Sequence, residues 1–211
     1  MLTEKKQQLA LNLFDIGAIK FGAFRLKLHE KKPDSPLSPI YIDLRILRSF
    51  PEVMNSAIEV YKELTNDLKF DCWADVPTAA TPIVAILSHE TGIPMISPRA
   101  EEKQYGTKNQ IDGSFKEGQV ALLVDDLITR ADSKIQIISI LEENNLKIND
   151  VVVLIDREQG GVQELGIRGY ACHVAFGLRE LLDFYLHSGK INHSDFDRTI
   201  SYLALSSRGL L

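Results

Sequence analysis

Two adjacent carboxylates, Asp125 and Asp126, follow five consecutive apolar residues, Val120–Val124, and precede a short polar run, Thr129, Arg130, Ala131, Asp132 and Ser133. Carboxylates placed there can accept hydrogen bonds from the vicinal hydroxyls of a ribose. The amides of a turn entering a helix can hold an anion, so the chemistry on offer is recognition of a sugar phosphate. The same residues would also serve as a plain strand stop and helix cap, and this stretch alone does not separate the two readings. The apolar run reads as a strand buried on both faces, with the acids where it ends, and Ile135–Leu141 reads as a helix.

The rest of the chain has to position that junction. Its 211 residues are enough for one α/β domain. Apolar residues at 45% and charged residues at 25% are ordinary for a soluble globule. A net charge of -5 argues against a general nucleic-acid or membrane-surface binder and points to a small ligand. The two cysteines, Cys72 and Cys172, lie in strand-like settings and read as buried thiols. The opening residues contain no apolar signal core and no apolar run approaches membrane-spanning length, so a reduced, cytoplasmic protein is expected.

In chain order, Thr3–Ile16 has the apolar spacing of an amphipathic helix, Ala18–Lys27 alternates as a strand would, and the polar His29–Pro39 reads as a solvated loop. Ile40–Arg45 reads as a strand and Pro51–Leu68 as a helix. From Phe70 the rhythm is regular. Strands at Phe70–Ala74, Pro94–Ser97, Val120–Val124, Val151–Ile155 and Tyr170–Ala175 alternate with helices at Ile83–Glu90, Ile135–Asn144 and Val162–Leu165, and two helices close the chain. That alternation predicts a parallel sheet with helices on both faces and ligands beyond the strands' carboxyl ends. Three polar segments would meet there: Asp75–Pro82, Asp125–Ser133 and Asp156–Gly161. The charged, glycine-punctuated run from Arg99 to Gly113 reads as a long exposed loop, either a lid whose Arg99, Lys103 and Lys108 reach an anionic ligand or a solvated hairpin.

Taken together, Leu122-Leu-Val-Asp-Asp-Leu-Ile-Thr129, Glu102-Lys-Gln-Tyr-Gly-Thr-Lys108, Lys20-Phe-Gly22, Ser38-Pro-Ile-Tyr-Ile-Asp-Leu-Arg45 and Leu154-Ile-Asp-Arg-Glu-Gln-Gly-Gly161 resemble the orotate phosphoribosyltransferases, in the family's order. The resemblance implies a type I phosphoribosyltransferase-like parallel sheet flanked by helices. The chain would be a single domain over 1–211, with a small N-terminal hood at 1–50 and a flexible lid loop at 99–113. It implies a homodimeric, Mg2+-dependent pentosyltransferase that joins orotate to phosphoribosyl pyrophosphate, giving orotidine 5′-monophosphate and pyrophosphate in pyrimidine biosynthesis. By the same resemblance Asp125 and Asp126 face the ribose hydroxyls, and Arg99, Lys103 and Tyr105 belong to a lid that clamps the pyrophosphate, shared across subunits. Thr129, Arg130, Ala131, Asp132 and Ser133 form the 5′-phosphate loop, while Lys20, Tyr41, Thr129 and Arg157 line the orotate pocket. Magnesium would ride mainly on substrate oxygens, with Asp125 or Asp126 helping through water.

The chain also departs from the pattern. Ala100 stands where the family has a lysine, the segment between Lys27 and Ser38 is longer, Ala131 replaces a glycine, and Asp132 brings a negative charge to the phosphate loop. A carboxylate about 4 Å from a phosphate, at an effective dielectric of about 20, costs about 4 kcal/mol, roughly a thousandfold in affinity. Capping of its own helix by Asp132, or an inward Arg130, would relieve that cost. Ala100 and Asp132 therefore motivate a second reading, a non-catalytic relative that binds a pyrimidine or nucleotide for regulation.

Overall fold

The computed structural model describes residues 2–26, 28–99 and 110–207. The chain divides into two compact units, one comprising residues 1–56 with 176–211 and the other residues 57–175.

In the first unit, Thr3 caps α1 (Glu4–Asp15) by accepting from the Lys6 amide. Buried Leu9, Ala10 and Leu13 line its inner face, where the Tyr185 hydroxyl donates to the Ala10 carbonyl at 2.8 Å. Strands β1 (Ile19–Phe24) and β2 (Ser38–Ile42) form an antiparallel ribbon in which Lys20 stands opposite Tyr41. Between them the expected solvated loop contains a helical turn, α2 (Leu28–Lys31). His29 is buried, accepting from the Leu26 amide at Nδ1 (2.9 Å) with Nε2 3.3 Å from the Pro36 carbonyl, so a single imidazole ties the segment together. The strand expected over Ile40–Arg45 stops at Ile42, because Asp43 accepts from the Arg45 amide and starts a 3-10 turn over Leu44–Ser49. Helices α7 (Leu178–His187) and α8 (His193–Ser207) complete this unit.

The second unit is built on a six-stranded sheet. After α3 (Pro51–Thr65), in which the division between the units falls, come β3 (Cys72–Asp75), α4 (Thr81–Thr91), β4 (Met95–Pro98) and β5 (Ile111–Asp112). Next are β6 (Ala121–Ile128), α5 (Asp132–Glu143), β7 (Asp150–Asp156), α6 (Gly161–Ile167) and β8 (Ala171–Gly177). The strand order is β5-β4-β3-β6-β7-β8, with β3, β4, β6 and β7 parallel and the two-residue β5 antiparallel to β4. The central strand β6 is buried on both faces, as its unbroken apolar run requires. One face packs Leu123 and Val153 against Ile137, Ile138 and Leu141 of α5.

Register decides where the acids sit. β3 ends at Asp75, opposite Val124, whereas β6 runs on beside β7 until Ile128 meets Asp156. Asp125 and Asp126 therefore lie inside the strand rather than after it. The Asp125 and Asp126 side chains take the amides of the residues that follow them, at 2.8 and 2.7 Å, while pairing with β7 continues.

Candidate active site

The carboxyl ends of β3, β6 and β7 bring the three polar segments to one edge of the sheet. At β3, Asp75 is fully buried and accepts from the hydroxyls of Thr81, at the start of α4, and Ser97 in β4. The turn between Asp75 and Thr81 is thereby pinned at both ends, and the Val76 amide donates to the Val124 carbonyl at 3.0 Å.

The acid pair is more enclosed than its motif suggests, with Asp125 5% and Asp126 9% exposed. Beneath it lies Lys134, in the first turn of α5 and 3% exposed. Its ammonium pairs with Asp125 Oδ2 and donates to the Leu127 carbonyl at 2.6 Å. The Tyr61 hydroxyl, on α3, donates to the Asp125 carbonyl at 2.8 Å. Burial pushes the Asp126 carboxyl up to about 7, and the charge and hydrogen bonding of Asp125 push the same way; the Leu127 amide and Lys134 oppose them. Burial thus favours the protonated form of Asp126, while Lys134 pairs with Asp125.

The loop that follows differs from the expected cap. The N-cap of α5 is Ala131, which has no polar side chain, and Asp132 is exposed in the first helical turn. Neither Asp132 nor an inward Arg130 therefore plays the relieving role considered from the sequence, since Arg130 is exposed as well. Ala131 has φ -85° and its methyl is fully buried in the core, so the glycine it replaces is not needed for backbone conformation. Ser133 is exposed beside Asp132, and Thr129 is half-buried.

The third segment is sewn to the second. The Arg157 amide donates to the Ile128 carbonyl at 2.9 Å and the Gly161 amide to the Thr129 carbonyl at 3.0 Å, which places Thr129 and the buried Arg157 at one strand end. A side chain at 161 has no room there: a methyl carbon would lie 2.6 Å from Ile128 Cγ1 and 2.8 Å from the Thr129 carbonyl oxygen. Gly160, at φ +96°, supplies the left-handed turn before it.

The structure thus brings together Asp125, Asp126, Thr129, Arg130, Ala131, Asp132, Ser133 and Arg157. Lys20 and Tyr41 face each other on the other unit's ribbon, where Lys20 helps Arg45 to lower the Asp43 carboxyl. Arg99 follows β4; its amide donates to the Gln110 carbonyl, and its guanidinium pairs with Asp112 at 3.0 Å. Lys103, Tyr105, Lys108 and Ala100 lie outside the described residues. Lys134 and Asp75 were not singled out from the sequence. Lys134 was detectable, because it shares a helical face with Ile137, Ile138 and Leu141.

No protein-family model matches the chain. The orotate phosphoribosyltransferase of Pyrobaculum islandicum is 32% identical over 90% of this chain and 95% of its own length. The chain belongs to the orotate phosphoribosyltransferase family. The bifunctional enzyme PyrF/PyrE of Nostoc sp. is 34% identical over 89% of this chain but only 38% of the relative, so the chain spans about two-fifths of such longer relatives. The solved structure of Leishmania donovani UMP synthase superposes with a TM-score of 0.83 at 33% identity, covering 94% of this chain and 42% of that one. The parallel sheet with flanking helices is the type I phosphoribosyltransferase fold.

Proposed function

We propose that this chain transfers the phosphoribosyl group of phosphoribosyl pyrophosphate to orotate, releasing pyrophosphate and forming orotidine 5′-monophosphate. The observation that carries the reading is the acid pair in the second half of β6, a strand whose end at Ile128 and Thr129 is joined by backbone hydrogen bonds to the loop bearing Arg157, in a chain of the orotate phosphoribosyltransferase family. Displacement at the anomeric carbon builds positive charge on the ribose and negative charge on the leaving pyrophosphate. The protein's task is therefore to orient and to stabilise charge, and no side-chain nucleophile is needed.

Asp125 and Asp126 meet the ribose hydroxyls and act with Lys103 as the catalytic set. The amides at Ala131, Asp132 and Ser133 hold the 5′-phosphate at the start of α5. Thr129, Arg157, Lys20 and Tyr41 hold orotate, with the guanidinium of Arg157 matched to a planar anion. Residues 1–50 serve as hood and 99–113 as lid, from which Arg99, Lys103 and Tyr105 meet the pyrophosphate of the neighbouring subunit in a homodimer.

The donor set suits magnesium carried by substrate. Among the described residues no three histidine, cysteine or acidic side chains gather into a metal cage, and Asp125 is committed to Lys134. Asp126 would then act through water. When bound, the ion would neutralise charge on the departing pyrophosphate. Free Cys72 and Cys172 support a reducing compartment, the cytoplasm.

Incubation with orotate, phosphoribosyl pyrophosphate and magnesium should deplete orotate absorbance; a folded protein without turnover refutes the reading. The regulatory alternative predicts that the protein binds a pyrimidine or nucleotide but not phosphoribosyl pyrophosphate, which calorimetry resolves.

A further inference from the structure

Position 134 is a core position occupied by a cation. It lies on the face of α5 that carries Ile137, Ile138 and Leu141, at spacings of three, four and seven residues, and its side chain is 4% exposed. An apolar residue would be the ordinary occupant. A buried ammonium is tolerated only where acceptors surround it, and here those are Asp125 Oδ2 and the Leu127 carbonyl at 2.6 Å. The other oxygen of Asp125 accepts from the Asp126 amide at 2.8 Å, so both oxygens of that carboxylate are fixed from within the protein. The titratable groups nearest this cluster are Asp126, the partner acid, and, on β8, the half-buried Cys172, whose thiol burial and Asp156 push up while Lys134 opposes them.

We propose that Lys134 is a positioning residue of the ribose site: by binding Asp125 from below, it fixes the orientation of the acid pair presented to phosphoribosyl pyrophosphate, without touching the substrate itself. The proposal rests on the phosphoribosyl-transfer reading. Lys134 is buried against Asp125 and the Leu127 carbonyl while Asp132 and Ser133, beside it in the chain, are exposed. Two carboxyls buried side by side would otherwise repel, and the cheapest escape would be to turn or protonate the member that should meet the sugar.

The test is a double-mutant cycle on the full chain, read as KM for phosphoribosyl pyrophosphate against KM for orotate, with circular dichroism to confirm folding. Lys134→Met should raise KM for phosphoribosyl pyrophosphate by about tenfold or more while KM for orotate moves by less than about threefold. Lys134→Arg, which can still pair with a carboxylate, should recover most of the loss. Lys134→Met combined with Asp125→Asn leaves no unpaired buried charge, and should bind phosphoribosyl pyrophosphate no worse than Asp125→Asn alone. If Lys134→Met does not fold, that double variant and Lys134→Arg carry the test. A double variant worse than Asp125→Asn by a full further factor would show that Lys134 contacts substrate independently and overturns the proposal. So does an unchanged KM in Lys134→Met, or equal loss for both substrates. Wild-type protein without turnover defeats the underlying reading instead, and is seen before any variant is made.

Discussion

Gly161 offers a test of how the two site loops are joined. Its amide donates to the Thr129 carbonyl at 3.0 Å. A methyl added there would lie 2.6 and 2.8 Å from Ile128 Cγ1 and Cδ1 and 2.8 Å from the Thr129 carbonyl oxygen, all inside contact distance. Ile128 is fully buried, so its side chain has little room to yield, and the carbonyl is backbone. Overpacking of this kind costs about 1–3 kcal/mol. Gly166 lies in the same helix, α6, with nothing within 4 Å of a would-be methyl, and there alanine should stabilise by about 0.5–1 kcal/mol. With a urea slope of about 2 kcal/mol per M, Gly161→Ala should lower the unfolding midpoint by about 1 M and Gly166→Ala should raise it slightly. Gly161→Ala should also raise KM for orotate, because relief of the clash moves Thr129 away from Arg157. A Gly161→Ala midpoint equal to or above that of Gly166→Ala would refute the close approach of the 156–161 loop to the end of β6.

Three further outcomes follow from the site. Burial pushes the Asp126 carboxyl from the ordinary aspartate value of 3.8 up to about 7 in the fold, so the folded state binds the extra proton between those values; this group's contribution is full below about pH 4 and is lost as pH rises through about 7. Asp126→Asn should therefore gain stability relative to wild type from pH 5 to pH 8, by at most about 3 kcal/mol, and urea unfolding at several pH values would expose an absent trend. In the role proposed for Lys103, a cation that acts when pyrophosphate leaves, Lys103→Ala should depress turnover far more than stability; an unchanged rate removes it from the catalytic set. The Asp132 side chain is exposed, so the water-like limit applies and its charge costs a phosphate about 1 kcal/mol rather than about 4. Asp132→Asn should then tighten phosphoribosyl pyrophosphate by about fivefold, and a thousandfold gain in calorimetry would show the carboxylate turned into the site.

Much of the sheet was legible because its inner strands are unbroken apolar runs. Val120–Val124 and Val151–Ile155 need burial on both faces, and the helix between them, α5, carries a three-and-four spacing. The errors came where a polar side chain replaced a backbone partner. Asp125 and Asp126 continue β6 by taking the next amides themselves. Asp43 turns Leu44–Ser49 out of the ribbon. His29, a single ring, organises a segment whose composition reads as solvent-facing.

The same distinction governs the candidate site. A motif specifies residue types in order, so Asp125, Asp126, Thr129 and Arg157 could be named together. Its electrostatic state is set by what lies beneath, which no motif spells out. Two exposed aspartates would both be ionised at neutral pH; enclosed above Lys134, one is paired with an ammonium and the carboxyl of the other is pushed up by burial. Conversely, Asp132 reads from its place in the loop as a disabling charge, yet its exposure returns most of its field to water. Lys134, a cation on the apolar face of α5, and Asp132, which looks poised against the phosphate, exchange importance once burial is known.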